Sequence, residues 1–150
     1  MIQLGDSNPL DLQTWRERAL KMLTLREHAP AELHGKLLAK GASEEEAEAA
    51  VAWCLELGYL DAARFKQAVV RQAERQHKGR IWAIERCRRA GEDPPDRETL
   101  DHLDEVAARD FVARQGQIPA DPAARRRYLS RLQRLGLPLS LVRKITEDRD

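Results

Sequence analysis

The side chains with most chemistry to offer in this sequence are its arginines and lysines, and they come in blocks. From Arg71 to Gly91, the bases Arg71, Arg75, Lys78, Arg80, Arg86, Arg88 and Arg89 face only Glu74 and Glu85, a local excess of +5. Between Pro122 and Thr146 no acidic residue occurs, and Arg125, Arg126, Arg127, Arg131, Arg134, Arg143 and Lys144 supply +7. The stretch between them, Glu92 to Asp110, is acidic, with only Arg97 and Arg109 as cations. Groups at this density hold phosphates or carboxylates through charge-assisted hydrogen bonds and attract polyanions or acidic protein faces. A net charge of +1 for the whole chain conceals this segregation. Arg64 and Arg71 lie seven apart, two turns along one helix face, and could line such a track or equally form a solvated face. Arg125, Arg126 and Arg127 fall near a helix start, where the dipole disfavours cations, which points to a contact with an anion. The competing account is pairing with the acidic stretch, each exposed pair being worth about 0–1 kcal/mol.

Other chemistry finds little support. Ser7, Ser43, Ser130 and Ser140 stand in no nucleophile motif, and no phosphate-binding glycine loop is present. His28, His34, His77 and His102 share no ligand spacing with Cys54 or Cys87, which argues against zinc. The two cysteines lack a C-x-x-C partner and read as small, reduced core residues. Trp15, Trp53 and Trp82 read as core, and Trp82, between Arg80 and Arg86, is the one aromatic to test for a partner contact. No catalytic residue, cofactor or metal is expected.

These side chains must be positioned by helices. Charged residues make up 34% and aromatics 5%, with Ala, Leu, Glu and Arg dominant, residues that lose little on entering a helix. Leu12, Trp15, Ala19, Met22 and Leu23 mark one face of a first helix. Pro30 suits the first turn of a second, which carries Leu33, Leu37 and Leu38 and stops at Gly41. Ser43 and Glu46 form a capping-box pair ahead of a third, with Ala47, Ala50, Val51, Cys54 and Leu55 inward and Gly58 at its end. Glu44, Glu45 and Glu46 complement the dipole of that helix. Asp61 caps a helix bearing Phe65, Ala68, Val69 and Gln72, and Asp121 with Pro122 starts one bearing Tyr128, Leu132 and Leu135. No segment alternates strictly enough for a strand.

Helix-ending glycines recur at Gly41, Gly91 and Gly136, each with a base five residues earlier (Lys36, Arg86, Arg131) and an apolar residue four earlier (Leu37, Cys87, Leu132). This periodicity predicts three tandem three-helix repeats, all-α and without a sheet, stacked into an elongated, curved molecule. The expected divisions are a tail at 1–11 and repeats at 12–60, 61–107 and 108–150. If Lys36, Arg86 and Arg131 share the concave face, positive charge repeats along it. No run approaches the roughly 20 apolar residues of a membrane span, and Met1 to Pro9 has no secretion-signal pattern, so the cytoplasm is the expected compartment.

The order and spacing of Arg26-Glu27-His28, Glu32-Leu33, Lys36-Leu37-Leu38, Lys40-Gly41, Gly58-Tyr59-Leu60-Asp61 and Arg64-Phe65, followed by Lys78-Gly79, resemble the RecX family of recombination regulators. The resemblance implies a modular all-α protein without catalytic activity. It implies binding to RecA filaments in their helical groove, which blocks extension and suppresses ATP hydrolysis and strand exchange, and it allows single- or double-stranded DNA as a partner. The sequence departs from the family pattern in the middle repeat, where Cys87 replaces a bulkier aliphatic residue and Gly91-Glu92-Asp93-Pro94-Pro95 lacks the usual apolar residue after glycine. The third repeat matches mainly through its periodicity and its glycine.

The resulting candidates for contact with RecA or DNA are Lys36, Lys40, Arg64, Arg71, Arg75, Lys78, Arg80, Arg86, Arg125, Arg126, Arg127, Arg131, Arg134, Arg143 and Lys144. The expected species is a monomer, because tandem repeats bury one another's faces. Two other classes remain beside the filament regulator: a stand-alone helical DNA-binding protein, including one of helix-turn-helix type, and an inert helical scaffold.

Overall fold

In the computed structural model the described residues, 9–147, form eight helices and no strand: α1 (Pro9–Leu25), α2 (Pro30–Ala39), α3 (Glu44–Glu56), α4 (Ala62–Arg75), α5 (Arg80–Arg89), α6 (Arg97–Gln115), α7 (Pro122–Leu135) and α8 (Leu139–Glu147). Most of the expected tail, 1–8, lies outside the described residues, while residues 9–11 open α1. None of these helices is long and apolar enough to cross a membrane.

The helix ends fall where side-chain chemistry places them. Ser43 Oγ accepts from the Glu46 amide at 3.1 Å and Glu46 Oε1 accepts from the Ser43 amide at 2.9 Å, closing the capping box of α3. Asp61 Oδ1 accepts from the Arg64 amide at 3.1 Å, Asp96 from Thr99 at 2.8 Å and Asp121 from Ala124 at 2.9 Å. Gly41, Gly91 and Gly136 all have positive φ, at 106°, 79° and 70°. Each follows α2, α5 or α7, and Leu37, Cys87 and Leu132 are buried at the shared position before them.

Nine helices were expected and eight are present among the described residues. The difference lies in α6, which runs without interruption from Arg97 to Gln115 across the expected division at 107/108. No glycine or proline interrupts this span, and Leu100, Leu103, Ala107, Ala108, Phe111 and Val112 keep one face buried throughout.

The chain folds as two compact units, one holding the residues up to Phe65 with Ala90–Glu92, the other Lys66–Arg89 with the residues from Asp93 onward. In the first, Trp15 and Ala19 of α1, Leu33 and Leu37 of α2, and Ala47, Ala50, Val51 and Cys54 of α3 enclose one core. Trp15 keeps its indole NH satisfied by donating to Glu46 at 2.7 Å. In the second, Ala107, Ala108, Phe111 and Val112 of α6 pack with Tyr128 and Leu132 of α7 and Val142 and Ile145 of α8. The phenol of Tyr128 meets the ring of Phe111 edge-on at 4.8 Å and donates to the Gly116 carbonyl at 3.0 Å. Both cysteines are buried thiols, and burial pushes the Cys54 thiol above its usual range.

By sequence, the first unit carries seven Lys and Arg against twelve Asp and Glu, net −5, and the second nineteen against thirteen, net +6. The charge segregation seen along the chain therefore becomes a segregation between folded units.

Candidate polyanion-binding groove

The second unit holds an open groove of about 380 Å³ with a basic lining. Lys78 comes from the α4–α5 turn, Arg114 from the last turn of α6, and Arg131 and Arg134 from one face of α7, while Phe111 and Leu135 form apolar parts of the wall. Arg131 and Arg134 are three apart on a helix and so point to the same side.

The turn that presents Lys78 is tightly held. His77 adopts a left-handed φ of 53°, and the Lys78 amide donates back to the Ala73 carbonyl at 2.8 Å. The next amide, of Gly79, donates to the Leu135 carbonyl at 2.8 Å, joining this turn to the end of α7. Gly79 has no room for a side chain: a Cβ there would stand 2.6 Å from both Asp104 Oδ1 and the Gly136 carbonyl oxygen. The Lys78-Gly79 pair thus joins a groove cation to a packing point.

Asp110 is the one carboxylate in the lining. It accepts from Arg114 Nε at 3.1 Å and lies 3.5 Å from His77 Nδ1. Arg131 donates to Gln115 Oε1 at 2.8 Å, a neutral partner that leaves its charge uncompensated. Lys78 and Arg134 take part in no ion pair among the described residues. Four basic side chains against one carboxylate, with His77 beside it, make a groove that can accept a phosphate or carboxylate through forked and single donors.

Three of the fifteen sequence-derived candidates, Lys78, Arg131 and Arg134, meet here. Others are engaged within the fold. Arg80 ion-pairs with Asp101 and with Asp104, and Asp104, nearly inaccessible, also accepts from the Arg80 backbone amide at 2.6 Å. The carboxylate caps α5 from α6 and neutralises the base beside it; the two carboxylates raise the Arg80 pKa, chiefly through their hydrogen bonds. Arg64 donates to the Gly58 carbonyl at 2.7 Å and approaches Glu27 at 3.4 Å. Lys36 Nζ lies 3.0 Å from His28 Nε2. These three serve as internal ties.

Arg71, Arg75, Arg126, Arg127, Arg143 and Lys144 are exposed, and Arg86 and Arg125 half-buried, without joining the groove. Lys40 lies in the first unit, beside α1. The acidic stretch finds its bases in Arg80, Arg109 and Arg114, so the cluster at Arg125 to Arg127 is not what neutralises it in these pairs.

Arg114 and His77 belong to the groove but were not among the candidates. Arg114 had a readable signal: it is the sole charged residue between Asp110 and Asp121, in the last turn of a helix. His77 had none, since its 3.5 Å approach to Asp110 is a contact between residues 33 positions apart.

Metal ligation has one candidate among the described residues: His34, Glu44 and Glu48 each offer a donor atom within 4.8 Å of the others. His34 Nε2 and Glu44 Oε1 are 2.9 Å apart, and both glutamates are exposed. This is also the geometry of an ordinary surface ion pair.

Comparison with known proteins agrees with the motifs in α2 and α3. Residues 16–54 match the first three-helix domain of RecX. A regulatory protein RecX of Vibrio cholerae serotype O1 is 45% identical over 69 residues, 46% of this chain and 44% of that protein. One from Vibrio parahaemolyticus is 46% identical over 57 residues, so this chain's matched part spans less than half the length of either Vibrio relative. One from Stenotrophomonas maltophilia is 36% identical over 140 residues, covering 89% of this chain and 86% of that protein. Such similarity over nearly the full length of both sequences, joined to an all-helical fold that places the quoted motifs at helix caps and helix ends, shows that the chain belongs to the RecX family of regulatory proteins.

Proposed function

We propose that this chain regulates homologous recombination by binding RecA filaments on DNA and restraining their extension, ATP hydrolysis and strand exchange, without catalysing a reaction itself. The observation that carries this reading is the near full-length similarity to regulatory proteins RecX. The groove of Lys78, Arg114, Arg131 and Arg134 supports it by offering a place for the phosphates of filament-bound DNA or for acidic side chains of the filament. The repeats at 12–60, 61–107 and 108–150 would act together, with their exposed bases distributing affinity along the filament.

The test is ATP hydrolysis by preformed RecA filaments on single-stranded DNA as the protein is titrated in. Inhibition is expected. Action far below one protein per RecA subunit would indicate blocked filament ends, and stoichiometric action would indicate groove binding. Unchanged hydrolysis at concentrations that saturate naked DNA would overturn the reading.

The same groove favours a second reading, a stand-alone DNA-binding protein. Such a protein would need no recombinase, and its affinity would fall steeply with salt as phosphate counterions are displaced.

A further inference from the structure

The first unit, although net acidic, carries a second and different groove, of about 470 Å³, lined by Arg18, Lys21, Met22 and Leu25 of α1 together with Lys40. No carboxylate is part of that lining. Arg18, Lys21, Met22 and Leu25 follow the i, i+3, i+4, i+7 spacing of one helix face. Arg18 is steadied on the Trp15 ring, its guanidinium carbon 4.8 Å from the ring centroid. Leu25 is 86% exposed, although it is a large apolar residue at the end of a well-formed helix. Met22 beside it is partly buried against the core of this unit, so Leu25 is the outward apolar side chain of the groove, set among three cations and left uncovered by the fold.

The chemistry of the lining selects the occupant. Three cations around Met22 and Leu25 suit a partner carrying carboxylates and an apolar side chain together. A nucleic-acid backbone supplies the anion without an aliphatic group to cover Leu25. We propose that the Arg18, Lys21, Leu25 and Lys40 groove is a docking site for an acidic protein segment, one that seats an apolar side chain against Leu25 and Met22 while its carboxylates meet the three cations. This site goes beyond the proposed regulatory function and does not depend on the basic groove of the second unit.

The test uses the full chain and a fluorescein-labelled peptide built from Asp, Glu and Leu, read by fluorescence anisotropy. A peptide of Glu alone and a single-stranded DNA oligonucleotide serve as comparisons. The Asp/Glu/Leu peptide should bind, and the Glu peptide should bind at least about tenfold more weakly, since it lacks the apolar contact. Leu25→Ser should weaken the Asp/Glu/Leu peptide about tenfold and leave DNA affinity unchanged, and the double variant Lys21→Glu, Lys40→Glu should abolish peptide binding. All three side chains are exposed, so circular dichroism should show an unaltered fold. Absence of peptide binding would overturn the proposal, as would peptide binding indifferent to Leu25→Ser. A loss of DNA affinity on Leu25→Ser would reassign the groove to nucleic acid.

Discussion

Single residues in this protein divide into those that reach outward and those that tie the fold. Asp104 is the clearest tie, because its carboxylate, nearly inaccessible, serves both the α5 backbone and the Arg80 side chain. Asp104→Ala is expected to destabilise the protein by about 2–3 kcal/mol, measured by urea denaturation, since a helix start and a partly buried guanidinium lose their partner together. Arg80 is therefore a poor residue on which to test partner binding. His28 is a tie of another kind. It is buried, with Nδ1 3.0 Å from the Arg26 carbonyl oxygen and Nε2 3.0 Å from the Lys36 ammonium. Nδ1 therefore carries the proton and donates to the carbonyl, while Nε2 accepts from the lysine. Burial, aided by the charges of Arg26 and Lys36, holds the imidazole below its ordinary range. A second proton binds less readily in the folded state than in the unfolded one. The stability contributed by neutral His28 is thus complete above the unfolded value of about 6.5 and is lost as pH falls from there through the folded value. The urea midpoint should drop between pH 7.5 and pH 5, and His28→Gln should flatten that dependence.

At the scale of elements, stability rests on caps and on close approaches between turns. The Ser43–Glu46 box closes α3 and, through Glu46, reaches Trp15 on α1. Ser43→Ala is expected to cost about 1 kcal/mol by thermal or urea unfolding. The turn between α7 and α8 is more demanding. Gly136 sits at φ 70°, and a Cβ there would stand 2.7 Å from the Trp82 amide nitrogen. Gly136→Ala meets both left-handed strain and a backbone contact that cannot swing aside, so a loss of at least about 2 kcal/mol in unfolding free energy is expected. The periodic glycines were readable in the sequence because each stands just past an apolar helical pattern. The proximity of Gly79 to Gly136, 57 positions later, was not, because it is set by how α5 approaches the end of α7. Likewise Trp82, read as a core residue and also as the aromatic to test for a partner contact, is half-buried with its backbone against Gly136.

For the whole molecule, the salient property is that acidic and basic character separate by folded unit, −5 and +6. The single-stranded DNA contact proposed above should accordingly depend on the second unit. Each phosphate neutralised contributes a slope of about −0.7 to log affinity against log salt. Arg131→Ala with Arg134→Ala should therefore make that slope shallower by about 1.4, measured by anisotropy titrations across a salt series. The double variant Arg126→Ala, Arg127→Ala provides a comparison outside the groove. If it alters the slope as much as the groove pair, the groove is not the principal contact for the nucleic-acid backbone.

Helix content, helix ends and family were legible in the order of residues alone, because they depend on contacts within a few positions: Ser43 with Glu46, Asp121 with Ala124, Gly41 after Leu37. The excess of positive charge in the later half was legible for the same reason, since charge sums along a chain without reference to its fold. What tertiary structure decided was which bases remain available. Arg80 and Lys78 lie two residues apart and look alike in sequence, yet one is tied to Asp101 and Asp104 while the other opens into a groove with Arg114, Arg131 and Arg134. That difference depends on where α6 and α7 come to rest against the α4–α5 turn, and such long-range packing leaves no local pattern to read.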